Sequence, residues 1–397
     1  MKRIIFVDDE QNILSGLKRM LRPMRHEWEM HFADSALKAL ETMDTEPFDV
    51  VVSDMRMPQH DGAYLMAQVR ERYPSTARII LSGHAEQEMA IRSVAATHQF
   101  LAKPCDADML RATVLRTCQL RDMMQSERLQ RITAQIGQLP SVPEIYQKLN
   151  EEMGKDEPAM SQIAHIVGQD LAMSAKLLQL VNSAFFGLRR HVGSIDQAVS
   201  YLGMDVIRSL VLSESAFKEF SSTECELNAE SLMRHAQQVA QLAKAIARGH
   251  SENKVVIDEA FQAGMLHELG KLIMASELGA EYQRALQSVA AGEAPSVAER
   301  EVFGVTQGEV GGYLLGLWGL SDGIIEAIVY HHEPAAAPVE HFAPMVAVHV
   351  AKALVCEASG DTSIALNVEW IEGLGFGDAI EQWRALAAGM NPAKDAA

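Results

Sequence analysis

Acidic, hydroxyl and basic side chains follow short apolar runs in the first 103 residues. They are Asp8 with Asp9, then Asp54, Ser82 and Lys103. Carboxylates held close together repel one another unless a hard cation lies between them. Mg²⁺, bound through one or two carboxylates together with water and phosphate oxygens, suits such a group. These residue types therefore predict a magnesium site.

Asp54 is the residue that this site would use as a nucleophile. A carboxylate oxygen that attacks a phosphoryl donor forms an aspartyl phosphate. The metal ion and the ammonium of Lys103 would neutralise the charge on the phosphoryl oxygens, and Ser82 could hydrogen-bond one of them. The sequence therefore predicts that Asp54 accepts a phosphoryl group.

The apolar runs alternate with amphipathic stretches over residues 1–118, which indicates a βα repeat. The predicted strands are 4–7, 30–33, 50–53, 79–82 and 100–102, and the predicted helices are 13–21, 36–43, 63–70, 89–96 and 106–118. The expected fold is an α/β, flavodoxin-like, doubly wound parallel sheet. Ligands bind beyond the carboxyl ends of the strands in such sheets, so the five polar side chains should converge there.

Four motifs in this region together resemble the response-regulator receiver family. They are VDDE at 7–10, SDMRMP at 53–58 with Asp61-Gly62 after it, LSG at 81–83, and KP at 103–104. The resemblance covers residues 1–118, and it implies a two-component system with a sensor histidine kinase or phosphotransfer protein as the donor. The alternative is a flavodoxin-like domain whose strand-end acids are merely solvated.

The receiver resemblance assigns a role to each polar residue. It implies Mg²⁺ ligands at Asp8, Asp9, Asp54 and the backbone carbonyl of Arg56, switch residues at Ser82 and Phe100, and phosphate binding by Lys103.

Beyond residue 118 the apolar periodicity is helical and no convincing strand appears. We expect a linker helix over 119–137 and an all-α output region after it. A polar stretch at 219–228 should separate two helical halves, the second of which begins near Ser231. The chain after about 385 should be frayed.

The output region resembles the HDOD family, an all-helical module related to HD-type phosphohydrolases. The resemblance rests on Leu139-Pro140, Pro143, Val181-Asn182-Ser183, Phe186-Gly187, Ser194-Ile195, Ala198 and Leu202-Gly203. It places the HDOD domain at 138–355 and a C-terminal helical extension at 356–397. The Asn182-Ser183 pair is also of a type that ends a helix or bonds between helices.

The HD-type relatives bind divalent metals through histidines and aspartates from several helices. The resemblance matches His235 to the first histidine, His267 with Glu268 to the His-Asp pair, and His331 with His332 to the later pair. Gln307 and Lys352 stand where a histidine and an aspartate are expected. A binuclear site should therefore be broken. A single weakly bound divalent metal at His235, His267 and Glu268 is left open.

Composition narrows the possible partners. The net charge of −18, without a compensating cluster of lysine and arginine, argues against nucleic acid and anionic lipid. No apolar stretch approaches the ~20 residues of a membrane-spanning helix. Four separated cysteines without a CxxC pair favour a reducing compartment and ordinary core thiols. We expect a cytoplasmic protein.

The sequence favours two hypotheses for the function. In the first, phosphorylation of Asp54 repositions Ser82 and Phe100, and a catalytically degenerate HDOD domain binds an unidentified downstream signalling protein. In the second, phosphorylation gates a metal-dependent phosphohydrolase or phosphodiesterase. Glu333-Pro334 after the histidine pair disfavours the HD-GYP type. A third class, a DNA-binding regulator, is supported only by the frequency of DNA-binding output domains among response regulators. The oligomeric state, including a homodimer, is open.

Overall fold

A computed structural model of the chain describes most of its residues. They are 1–83, 93, 96–123, 133, 139–141, 143–155, 158–182, 192, 194–212, 217–219, 225–362 and 364–390. Among them, an α/β unit precedes a helical region.

The α/β unit is a five-stranded parallel sheet in the order β2-β1-β3-β4-β5. Its strands are β1 (Lys2–Val7), β2 (Trp28–Ala33), β3 (Val50–Asp54), β4 (Ala77–Ser82) and β5 (Gln99–Ala102). Its described helices are α1 (Gln11–Met20), α2 (Ala36–Thr45), α3 (Gly62–Arg72) and α4 (Ala107–Met123), with a 3₁₀ turn at Arg22–His26. The doubly wound fold predicted from the βα repeat is confirmed.

The structure describes only part of one predicted helix of this unit and extends another. The helix predicted over 89–96 lies largely outside the described residues, although Ser93 is helical. The last helix of the unit continues without a break through residue 118 to Met123, so the predicted linker helix begins as a continuation of the last receiver helix. The rest of the linker, apart from residue 133, lies outside the described residues.

The second region is helical, as predicted. Its helices are α5 (Pro143–Met153), α6 (Met160–Val167), α7 (Leu171–Asn182), α8 (Ile195–Leu212), α9 (Ala229–His250), α10 (Lys254–Leu266), α11 (Leu269–Glu277), α12 (Gly279–Ala290), α13 (Pro295–Phe303), α14 (Gln307–Leu317), α15 (Asp322–Tyr330), α16 (Pro344–Ser359), α17 (Val368–Gly373) and α18 (Ile380–Gly389). Gly203, with φ 74°, kinks α8.

One expectation for this region is wrong in detail. Two three-residue strands, β6 (Leu139–Ser141) and β7 (Phe217–Glu219), pair in parallel. Strands this short are below the length at which alternation of polar and apolar residues becomes visible.

Helix ends in this region follow local capping chemistry. Asn228 accepts a hydrogen bond from the amide of Ser231 at 2.8 Å, so α9 begins close to where the second half was predicted to begin. Asn182 and Val192 exchange two hydrogen bonds of 3.1 and 2.6 Å, which agrees with the predicted helix-ending role. Ser183 lies outside the described residues.

The C-terminal extension packs onto the helical region. Nε1 of Trp383 on α18 donates to Nε2 of His250 on α9 at 3.0 Å. The helix extends to Gly389, past the predicted start of fraying at about 385. All four cysteines are free, and Cys105 alone among them is only half-buried rather than a core thiol.

The two faces of the sheet bury separate hydrophobic clusters. One face, through Ile4 and Phe6, packs against α1 and α4. The other, through Ile5 and Phe100, belongs to a cluster that continues into α7 of the helical region. The two regions therefore share a continuous apolar core.

Candidate functional site

The ends of three parallel strands bring two carboxylates and one ammonium together. Asp8 directly follows β1, Asp54 ends β3, and Lys103 follows β5. Nζ of Lys103 lies 2.7 Å from Oδ1 of Asp54 and 2.9 Å from Oδ2 of Asp8. Both aspartates are buried, so water screens these ion pairs incompletely. The structure thus assembles the residues that were predicted to converge.

Asp9 completes a set of three carboxylates. Oxygens of Asp8, Asp9 and Asp54 lie within 4.8 Å of one another. Oδ1 of Asp8 also accepts the amide N–H of Glu10 at 2.9 Å, which fixes the orientation of that carboxylate. Hard oxygen ligands gathered at this spacing fit Mg²⁺.

Lys103 is charged at this site. Burial disfavours its ammonium form, but hydrogen bonds to Asp54 and Asp8 outweigh that cost and raise the pKa of Lys103 above its ordinary value. A fixed positive charge therefore lies beside the proposed acceptor oxygen.

Gly62 controls how closely α3 approaches Asp54. The amide of Gly62 donates to the carbonyl of Met55 at 2.8 Å, and a Cβ at position 62 would overlap the carbonyl oxygen of Asp54. The neighbouring Asp61 caps α3 by accepting the amide of Tyr64 at 2.8 Å. Sequence reasoning used Asp61-Gly62 only as part of a motif, and this steric reason for the glycine was missed.

The remaining predicted receiver residues lie around the same sheet edge. Ser82 ends β4 and is buried, and Phe100 is a buried residue of β5. Arg56 is exposed in the loop between β3 and α3. Their proposed roles stay predictions.

A second polar cluster lies inside the helical region. This cluster contains the residues that were predicted for the HD-type site. They are His235 on α9, His267 and Glu268 between α10 and α11, Gln307 at the start of α14, His331 and His332 after α15, and Lys352 on α16. Ligand atoms of His235, His267 and Glu268 lie within 4.8 Å of one another.

The two central histidines present the same ring nitrogen to the cluster. Nδ1 of His267 donates to the carbonyl of Gly264 at 2.6 Å, and Nδ1 of His331 donates to that of Ile328 at 2.6 Å. These hydrogen bonds assign the tautomer that leaves Nε2 as an acceptor. Burial, followed by the ammonium of Lys352, holds the pKa of both histidines well below the usual value, so both are neutral.

Lys352 occupies the centre of this cluster. Its Nζ lies 2.6 Å from Oε1 of Glu268, and Nζ of Lys271 lies 2.6 Å from the same oxygen. Burial opposes the charge of Glu268, but Lys271 and Lys352 hold the pKa of its carboxyl well below the ordinary value. The carboxylate that was left open as a ligand of a single metal thus already has two ammonium partners, a donor set that does not fit a binuclear metal centre.

Gln307 is also unsuited to bind a metal ion. Its Nε2 donates to Nε2 of His331 at 3.1 Å and so uses the lone pair with which that histidine would bind a metal. Within the described part of the chain, Oε1 of Gln307 and Nε2 of both His267 and His332 have no hydrogen-bond partner.

Two family models match the chain over these two regions. The response regulator receiver domain model matches residues 4–115, and the HDOD domain model matches residues 139–334. The chain belongs to the response regulators. It consists of a receiver domain followed by an HDOD domain.

Individual relatives and solved structures are similar to parts of the chain. Response regulator protein PilR of Pseudomonas aeruginosa is 26% identical over 50% of this response regulator and 48% of its own length. The signal receiver domain of an HD domain-containing protein from Pseudomonas fluorescens is 30% identical over 31% of this chain and 98% of its own (TM-score 0.29). A virulence factor from Campylobacter jejuni, 22% identical, covers 68% of this chain and 98% of its own with a TM-score of 0.51, which shows the fold.

The response regulator spans less than half the length of the first curated relatives that it matches. Among its described residues, no helix has the length and apolar character that crossing a bilayer requires.

The HDOD domain contacts the receiver domain through polar side chains as well as the shared core. Nε2 of the buried Gln179 on α7 lies 3.3 Å from the carbonyl oxygen of Thr97 and 3.4 Å from that of His98, just before β5. Arg116 on α4 pairs with Asp322 at 2.8 Å and also donates to the carbonyl of Leu320. These contacts frame a cavity of about 250 Å³ beside Phe100 and Trp318.

A buried lysine lies beside this contact. Nζ of Lys176 on α7 is 4.3 Å from the ring centre of Trp318, and it hydrogen-bonds Oε1 of Gln179 at 3.3 Å. Burial, followed by repulsion from Arg70 of the receiver domain, lowers the pKa of Lys176 to about 7. Sequence reasoning missed Lys176 and Gln179, although two polar residues on the otherwise apolar face of α7 were a visible signal.

Proposed function

We propose that this response regulator is a phosphorylation-dependent signalling switch whose HDOD domain acts by binding another protein. Asp54 receives the phosphoryl group from a histidine kinase or phosphotransfer protein. The observation that carries the proposal is the placement of Lys103, whose Nζ lies 2.7 Å from Asp54 and 2.9 Å from Asp8.

The chemistry at this edge is in-line phosphoryl transfer. Asp54 supplies the attacking oxygen, and the bond between phosphorus and the donor breaks as the new P–O bond forms. Lys103 stabilises the phosphoryl oxygens by charge, and Ser82 is placed to bond one of them. Asp8, Asp9 and Asp54 would hold Mg²⁺, which when bound neutralises part of the charge on the phosphoryl group.

The contact between the domains supplies a route from phosphorylation to output. Ser82 and Phe100 lie on neighbouring strands, and Phe100 lines the cavity beside Gln179 and Trp318. A change in the side-chain position of Phe100 alters its packing against the HDOD domain. It also displaces the nearby backbone carbonyls to which Gln179 donates hydrogen bonds. Phosphorylation then shifts the balance between docked and released HDOD domains, because the phosphoryl group on Asp54 interacts more favourably with the residues around it in one arrangement than in the other.

A non-catalytic HDOD domain is supported by Lys352. Its ammonium lies against Glu268, where the HD-type relatives would need an aspartate to hold a second metal ion. The amide of Gln307 further occupies Nε2 of His331. Two-metal activation of water therefore has no complete ligand set in this cluster.

A metal-dependent phosphohydrolase is the second candidate, favoured by the close approach of His235, His267 and Glu268. Metal analysis of the purified protein, beside a phosphodiesterase assay with Mn²⁺, Fe²⁺ and Mg²⁺, separates the two. The comparison variant is Gln307→His with Lys352→Asp, which restores the expected ligand types. Two bound metals with robust turnover in the unmodified protein would replace our proposal with the hydrolase.

The acceptor is tested by labelling with a small-molecule phosphodonor in Mg²⁺. We expect Asp54→Asn to abolish labelling, and Lys103→Ala to keep some labelling but to lose its effect on the HDOD domain. Asp108→Asn, which alters an exposed carboxylate on α4 outside the cluster, is the matched control and should be labelled normally. Undiminished labelling of Asp54→Asn would exclude Asp54 as the acceptor.

A further inference from the structure

The HDOD domain contains a cleft that is separate from the histidine cluster. It has a volume of about 860 Å³ and lies between α6, the start of α8, α9, α10, α16 and α18. Sites for small ligands fall in the range of ~300–1,000 Å³, so this cleft is large enough to hold a few residues of a bound chain. None of the residues predicted for the HD-type site lines this cleft.

One wall of the cleft is rich in primary amides. Gln237, Gln238 and Gln241 come from consecutive turns of α9, and Gln238 and Gln241 are exposed. The apolar side chains of Met265 and Leu354, both largely buried, also line the cleft. A primary amide both donates and accepts, so it can pair with the N–H and C=O groups of a peptide main chain.

The spacing of these amides matches an extended chain. Positions 237 and 241 are separated by ~6 Å along the helix at a rise of ~1.5 Å per residue. Nε2 of Gln237 already donates to the carbonyl of Gln169 at 3.2 Å, so Gln237 offers a peptide its Oε1 as an acceptor. Main-chain groups that point to the same side of an extended peptide repeat every ~6.6 Å. Two successive same-side peptide groups can therefore meet glutamines one turn apart.

The charges in the cleft are balanced. Its ammonium group is that of Lys244, whose Nζ lies 4.9 Å from the ring centre of Phe261, and its carboxylate is that of Asp196. The exposed His165 also lines the cleft, and its Nε2 lies 2.9 Å from Nε2 of Gln169. A chain of net charge −18 with this lining repels nucleotides that carry several phosphates. A strongly basic segment finds only one carboxylate.

We infer that this cleft binds a short, extended and uncharged peptide segment of a partner protein. The peptide main chain pairs with the glutamines of α9, and its small apolar side chains lie on Met265 and Leu354. This inference rests on the proposed function, since it names the surface and the partner chemistry through which the HDOD domain would act.

The test selects peptides on the full-length protein from a phage-displayed library of random heptapeptides. Enriched sequences are synthesised with a fluorescent label, and binding is measured by anisotropy. We expect uncharged sequences, a loss of affinity of at least tenfold in Gln237→Leu with Gln241→Leu, and a similar loss in Ala358→Arg, which fills the exposed lip of the cleft. Gln287→Leu on α12, exposed and outside the cleft, is the matched control.

Failure to enrich any peptide, or equal binding by the cleft variants and the wild type, would overturn the inference. Displacement of the peptide by adenosine at low concentration would also overturn it, in favour of a heterocycle site. Labelling of Asp54 is measured on the same preparations. Lost peptide binding with intact labelling refutes only the cleft, whereas lost labelling with intact peptide binding refutes only the phosphoacceptor.

Discussion

Nζ of Lys352 lies 2.6 Å from Oε1 of Glu268, and both side chains are almost completely buried. Glu268 comes from the turn between α10 and α11, whereas Lys352 comes from the middle of α16. This ion pair thus joins two segments of the HDOD domain that are far apart in sequence.

We expect Lys352→Ala to destabilise the HDOD domain. Removing one partner of a buried ion pair leaves an incompletely compensated charge, which costs about 3–5 kcal/mol. The double variant Lys352→Met with Glu268→Gln should recover only part of this loss, because neither residue is then charged but the ammonium of Lys271 loses its carboxylate partner. Urea denaturation measures both. Arg384→Ala, which breaks an exposed pair with Glu381, is the control and should cost about 1 kcal/mol or less. A Lys352→Ala protein as stable as wild type would contradict the prediction.

Gly62→Ala should slow phosphorylation of Asp54. The added Cβ overlaps the carbonyl oxygen of Asp54, so the backbone that carries the acceptor must move. Gly16→Ala is the matched control, because its Cβ would meet nothing within 4 Å and alanine favours the helix by about 0.5–1 kcal/mol. The rate of labelling by a small-molecule phosphodonor, with the melting temperature of each variant, measures the effect. Equal labelling rates in the two variants would show that the approach of Gly62 is not needed.

Lys176 should make stability depend on pH. Its pKa is about 7 in the folded chain and 10.5 when solvated, so the unfolded state binds more protons between these values. The contribution of Lys176 to stability therefore rises with pH from about 7 to 10, by up to about 1.4 kcal/mol per pH unit. It is constant below pH 7, where both states are protonated.

The difference between wild type and Lys176→Met isolates this effect, because other titrating groups cancel. We expect Lys176→Met to be more stable at pH 7 and to lose this advantage as the pH approaches 10, as followed by chemical denaturation. A difference that does not change with pH would mean that Lys176 is solvated in the folded protein.

Gln179→Ala and Arg116→Ala should loosen the contact between receiver and HDOD domains. Each removes hydrogen bonds across the contact, so amide hydrogen exchange should rise in the segment from Thr97 to Phe100. Arg111→Ala, exposed on the same helix as Arg116, should leave exchange unchanged. Unaltered exchange in both contact variants would show that the shared apolar core alone holds the domains.

The sheet was predictable because its strands are buried on both faces and read as short apolar runs. β3 and β4 are buried at every position, and the polar residues that end them identified the sheet edge that binds ligands. The contact between the domains could not be predicted. Gln179 and Thr97 are distant in sequence, and a hydrogen bond accepted by a backbone carbonyl leaves no pattern in the side chain of the residue that carries that carbonyl.

The histidine cluster was also predictable only in part from the sequence. Sequence comparison with a known pattern located Gln307 and Lys352 as departures, but it did not show that Lys271 shares Glu268 with Lys352. Lys271 lies one helical turn from Glu268 in LHELGK, a spacing typical of an ordinary surface pair. Its role becomes apparent only because the carboxylate is buried.

The positive charge beside Glu268 is part of the polypeptide itself. Because the ammonium of Lys352 is a side chain, every copy of the protein carries it. A bound metal ion, in contrast, would have to be supplied by the surroundings. A chelator cannot remove it, and starvation for iron or manganese cannot lower its occupancy. The Lys352–Glu268 pair therefore holds its part of the HDOD domain together independently of the metal nutrition of the cell.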